Sequence, residues 1–218
     1  MNQAMVTIDV VSDVMCPWCY IGKRRLEKAA AADPEIALDV QWRPFQLDAT
    51  IPPEGMDRRI YLERKFGGAD AAERVYAPVR AAGEAEAIPF AFDRIRRAPN
   101  TINAHRLIRW AGQAGLQEEM VERLFRLYFL EGGDLTDAGV LADAAAEAGM
   151  ERALVERLLA GEADIAEVRG EIEAAQRMGI TGVPTFIIAG RYAVVGAQPA
   201  EVLADAITKA RAEAPAAQ

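Results

Sequence analysis

Both cysteines of the chain stand in one short segment, Cys16-Pro17-Trp18-Cys19. A bridge closing so small a loop constrains little chain entropy, so a purely structural disulfide is a poor reading of it. Thiol–disulfide exchange is the better one. Cys16 falls where a β-type run gives way to a helical one. The first amides of a helix lack intrahelical partners, and the macrodipole is positive at that end. Both effects favour thiolate over thiol, which makes Cys16 the expected nucleophile. Pro17 suits a first helical turn, where its missing N–H costs nothing. Cys19 lies about one turn further on the same face, placed to attack a mixed disulfide formed at Cys16. Trp18 offers an apolar platform beside the sulfur, so Pro17 and Trp18 join the cysteines as candidate substrate contacts.

Two other chemistries fit a pair of cysteines. A structural zinc site needs four ligands, and this chain has two Cys and one His, His105. Only a site shared between two chains would complete the set, so no metal is expected. Two inert buried thiols are the other reading, since free Cys packs as a small hydrophobe. The helix-start position and the intervening Pro speak against it.

Elements must exist to hold these residues. Val6 to Val11 is rich in β-branched residues and reads as a strand. Ile21 to Ala32 reads as a helix stopped by Asp33-Pro34. Ile36 to Phe45 alternates as a second strand. From Met56 to Met178 strand patterns vanish, and Ala, Glu, Arg and Leu recur at helical spacing between Gly and Pro breaks. Strands return at Thr185 to Ile188 and Tyr192 to Val195, joined by a turn at Ala189-Gly190-Arg191. A last helix opens at Gln198-Pro199 and runs to about Ala210. The order is β-α-β, a helical block, then β-β-α. It predicts an α/β domain made of residues 1–50 and 176–212, a helical insertion at 51–175, and a frayed tail at 213–218.

Composition narrows the partners. The net charge is -8, from 33 acidic and 25 basic residues, which opposes binding to nucleic acid. No stretch reaches the roughly 18 apolar residues of a membrane span. The N-terminal residues lack the pattern of a secretion signal, so a cytoplasmic protein is expected. Neither G-x-G-x-x-G nor a P-loop is present, so no bound nucleotide is expected.

Three segments together resemble the FrnE-like branch of the DsbA family: Ser12 to Lys23 around the cysteines, Asn100 to Leu107, and Gly182-Val183-Pro184-Thr185-Phe186 followed by Gly196-Ala197-Gln198-Pro199. The resemblance spans Val6 to Ala210. It implies a thioredoxin-like fold with a large all-helical insertion, and a thiol–disulfide oxidoreductase or isomerase acting on protein, peptide or small-molecule disulfides. It also implies a cis Val183-Pro184 peptide against the cysteine pair, with the Val183 backbone binding an extended substrate segment as an added strand. Electrons would come from glutathione or a thioredoxin-like partner. The kappa-class glutathione transferases and 2-hydroxychromene-2-carboxylate isomerases form a neighbouring branch. They carry Ser where Cys16 stands, so a glutathione-using isomerase or transferase is the second reading. A non-catalytic thiol or zinc module is the third.

Other residues invite a role. His105 is the single His and a candidate for proton transfer or substrate contact. The plain alternative is a helix-face His. Asp13 could accept a proton from Cys19 through water, or simply form a turn. Lys23-Arg24-Arg25 could add positive potential beside Cys16, or form a solvated helix face.

Overall fold

The computed structural model describes residues 5–213. The chain starts with β1 (Met5–Ser12), α1 (Pro17–Ala32) and β2 (Ala37–Pro44). β1 and β2 pair in parallel, with Ile8 opposite Val40 and Val10 opposite Trp42. A short strand β3 (Met56–Asp57) leads into α2 (Arg58–Phe66) and α3 (Ala69–Ala85). A second short strand, β4 (Arg97–Ala98), pairs antiparallel with β3. Five helices follow: α4 (Ile102–Gln113), α5 (Gln117–Arg126), α6 (Ala138–Glu147), α7 (Arg152–Ala160) and α8 (Ile165–Arg177). The chain closes with β5 (Thr185–Ile188), β6 (Tyr192–Val195) and α9 (Ala200–Ala212).

The main sheet has the order β2-β1-β5-β6, with β5 antiparallel to β1. β1 is central, and Val6, Ile8, Val10 and Val11 are all buried. A strand covered on both faces needs such an apolar run. The insertion shares its core with the sheet. Met120, Val121, Leu124 and Phe125 form the buried face of α5 at helical spacing. Phe125 stacks on Tyr20 of α1, with ring centroids 5.0 Å apart.

Two expectations need correction. The block from Met56 to Met178 is not all helical, because β3 and β4 pair there. Their register puts Met56 opposite Ala98, and two residues per strand are too few to show an alternation in sequence. The helix expected over Ile21 to Ala32 extends back to Pro17, which takes the first-turn position that its missing N–H suits. After α5 the chain passes into a π-type turn at Leu127–Glu131 before Gly132. Of the tail expected to be frayed at 213–218, only Glu213 is described. Glu213 is held by the Tyr192 hydroxyl and by Arg191, and residues 214–218 lie outside the described residues. Among the described residues, no helix is long and apolar enough to cross a membrane.

Candidate active site

The cysteine loop is built from the backbone outward. Cys16 is the N-cap of α1 in extended conformation, and Pro17 opens the helix. The Cys16 amide donates to the Asp13 carbonyl at 3.0 Å, and the Cys19 amide donates to the Cys16 carbonyl at 3.0 Å. The two thiols are therefore fixed on one turn at the C-terminal edge of β1. Both are free thiols in the structure. They differ in access: Cys16 keeps 4% of its surface and Cys19 none.

Electrostatics separates them too. The Cys19 thiol is raised well above its ordinary pKa, chiefly by burial, then by the hydrogen bond to Cys16 and the charge there. Hydrogen bonds from the Ser12 side chain and the Asp13 backbone pull it only partway back. Cys19 stays protonated where an accessible thiol would ionise.

The second wall comes from the far end of the chain. The Val183–Pro184 peptide is cis, and the Cys16 thiol donates to the Val183 carbonyl at 3.5 Å. Pro184 also packs onto α1 at Gly22. A Cβ built on Gly22 would lie 2.9 Å from Pro184 Cγ and 3.1 Å from Phe186 Cζ. Only the missing side chain lets the two segments approach this closely. Trp18 and Val183 are half-buried beside the pair, and Pro17 is half-buried at the helix start.

Asp13 acts as a buried clamp. Its Oδ2 accepts the Leu47 amide at 2.8 Å, joining the cysteine loop to the segment after β2. Its Oδ1 lies 3.5 Å from Nε2 of His105. That ring nitrogen is 2.8 Å from the Phe45 carbonyl, so the Nε2–H tautomer donates there. His105, a candidate for proton transfer or substrate contact, is linked to the cysteine loop through Asp13. The ring is only 3% exposed, because the apolar face of α4 packs it against the exit of β2. It supports the loop from behind. The turn-forming reading of Asp13 accounts for the contacts it makes.

Lys23 overturns the solvated-face reading of the basic run. It is buried and sits among Glu27, Glu118 and Glu122. Burial opposes its charge, but these carboxylates outweigh that and raise its pKa above the ordinary lysine value. Lys23 and Arg24 thus tie α1 to α5 through Glu122. A lysine one turn after the cysteines carries no sequence signal of carboxylates 95 and 99 positions away. The clamp at Leu47 and the close approach at Gly22 likewise lie outside what the motif announces.

A thiol at a helix N-terminus with a buried partner, facing a cis X-Pro peptide on a four-stranded mixed sheet, defines the thiol–disulfide oxidoreductases of thioredoxin fold. The chain belongs to the DSBA-like thioredoxin domain family, whose pattern matches residues 7–208. It is similar to a probable DsbA oxidoreductase, SCO1869, from Streptomyces coelicolor. Identity is 32% and the TM-score 0.88, covering 98% of this chain and 93% of that one. It is 26% identical over 204 residues to the uncharacterized protein YwbO of Bacillus subtilis, covering 93% of this chain and 96% of the relative. A cytosolic disulfide reductase, DsbM, from Pseudomonas aeruginosa, solved with GSH, shares the fold at 23% identity and a TM-score of 0.60, over 94% of this chain and 96% of that one.

Proposed function

We propose that the protein is a cytoplasmic, FrnE-like dithiol oxidoreductase that exchanges disulfides with protein, peptide or small-molecule substrates. The observation that carries this reading is the asymmetry of the pair: Cys16 caps α1 against the Val183 carbonyl, and Cys19 is sealed beneath it. The Cys16 thiolate attacks one sulfur of a substrate disulfide, and the other sulfur leaves as a thiolate. Cys19 then loses its proton and attacks Cys16 in the mixed disulfide, releasing the second substrate thiolate. Two electrons pass to the substrate and the pair becomes Cys16–Cys19 disulfide. The reverse sequence oxidises a dithiol. Glutathione or a thioredoxin-like partner returns the electrons when the protein acts as a reductase.

Ionisation of Cys16 removes the donor to the Val183 carbonyl. That carbonyl is then free to accept an amide of an extended substrate, as an added strand would supply. Pro17 and Trp18 flank the entering chain. The test is trapping. Cys16→Ser is expected to abolish exchange with a peptide disulfide. Cys19→Ser is expected to accumulate a mixed disulfide at Cys16, seen by intact-mass analysis. Exchange surviving in Cys16→Ser would overturn the assignment.

A further inference from the structure

A cavity of about 590 Å³ lies in the insertion between α2, α3 and the segment leading to β4. Neither cysteine nor Val183 lines it, so the exchange chemistry leaves it unexplained. Its volume falls within the range of sites for small organic molecules. The apolar part is aromatic. Phe90 and Phe92 stack at 4.7 Å, and Tyr76 meets Phe92 edge-on at 4.8 Å. All three rings are half-buried, and the Arg58 and Arg80 guanidiniums lie over Tyr76 and Phe92 at 5.4 and 5.5 Å.

Four guanidiniums line the polar part: Arg59 and Arg80 pair with Glu63 and Glu73, Arg96 is exposed, and Arg58 is the buried one. Arg58 is 7% exposed, and among the described residues it has no carboxylate within 4 Å. Nη1 donates to the Tyr128 hydroxyl at 3.3 Å and Nη2 to the Tyr76 hydroxyl at 3.0 Å. Those are neutral acceptors and leave three of the five guanidinium hydrogens unclaimed by protein. The other buried cations are treated differently. Lys23 has three glutamates, and Arg106 has the carbonyls of Leu158, Gly161 and Ala163 plus the Asn103 side chain. A buried cation without counter-charge is costly, and an anion seated against it would offset that cost. The acidic residues at the cavity are otherwise engaged or exposed. Asp57 caps α2, Glu63 pairs with Arg59, Glu73 pairs with Arg80, and Asp93 faces solvent.

We propose that this cavity binds a small aromatic monoanion, its carboxylate against Arg58 and its ring against Phe92 and Phe90. The rings supply flat apolar contact, and the fork of Arg58 suits a planar carboxylate. The test titrates the full chain with naphthalene-1-carboxylate and with its neutral isostere naphthalene-1-carboxamide by calorimetry. Wild type is expected to bind the carboxylate at least tenfold more tightly than the carboxamide. Arg58→Gln should erase that preference. Ala72→Phe, which fills the cavity without touching the charge, should abolish binding of both. Equal affinity for the two probes in wild type would overturn the proposal. So would no binding of either, or carboxylate binding that survives Ala72→Phe. If Arg58→Gln does not fold, the wild-type ratio and Ala72→Phe decide.

Discussion

Glycine-to-alanine changes in two helices should move stability in opposite directions. Gly22 in α1 and Gly170 in α8 have the same intrinsic penalty, since Gly costs about 1 kcal/mol relative to Ala inside a helix. Their surroundings differ. Gly170 has nothing within 4 Å of a built Cβ, so Gly170→Ala is expected to gain about 1 kcal/mol. At Gly22 the new methyl would lie 2.9 Å from Pro184 Cγ and 3.1 Å from Phe186 Cζ. The proline ring is stiff and Phe186 is fully buried, so neither can swing aside. Overpacking of this kind costs about 1–3 kcal/mol, which outweighs the helical gain and leaves a net loss of about 1 kcal/mol. For a chain of this size that is about 2–4 °C in Tm, upward for Gly170→Ala and downward for Gly22→Ala. The assays are thermal unfolding of both variants and the rate of peptide-disulfide exchange. Gly22→Ala should also slow exchange, because α1 carrying Cys16 must move from the Val183–Pro184 segment. If Gly22→Ala raises Tm as Gly170→Ala does, with an unchanged rate, the idea that the two segments are clamped here is wrong.

Alkylation of the reduced protein with iodoacetamide near neutral pH should modify Cys16 well before Cys19, read by peptide mass mapping; faster labelling of Cys19 would reverse the roles. Asp13→Ala should destabilise the fold by about 1–3 kcal/mol in denaturant unfolding, because the half-buried Leu47 amide loses its acceptor; an unchanged midpoint would show that the clamp is dispensable. Burial pushes the Glu122 carboxyl up, but Lys23 and Arg24 outweigh it and hold the pKa below its ordinary value. A depressed folded-state pKa gives stability that is present above the unfolded value and lost as pH falls through the folded one. Below about pH 4.5 wild type should therefore lose stability more steeply than Glu122→Gln, and parallel acid limbs in pH-dependent unfolding would argue against this carboxylate as a contributor.

The cysteine pair and the alternation of β-type and helical segments were legible in the sequence because each is local. Cys16, Pro17 and Cys19 announce a capped helix within four residues, and the return of strands after Gly182 marks the second half of the sheet. The parts that escaped depend on contacts between distant positions. Nothing near Gly22 reveals that Pro184 and Phe186 will sit where its side chain would be. Lys23 reads as one more surface base until Glu118 and Glu122 arrive on α5. His105 drew attention as the single imidazole, yet Ile102 and Ile108, three positions to either side on its own face, were the better guide, since they place it on a buried helix face.

Cys16 and Val183 are 167 positions apart, and β1 takes β5 as its neighbour over a similar span. At about 5–20 residues per second, a ribosome needs roughly 8–33 s to progress from one to the other. Throughout that interval the nascent chain carries its reactive thiol without the backbone opposite it. One side of β1 also waits unpaired, open to strands from other chains. The thiols are synthesised early and acquire their selectivity late. Premature oxidation or capture by another nascent chain is therefore a hazard of synthesis that the finished fold removes.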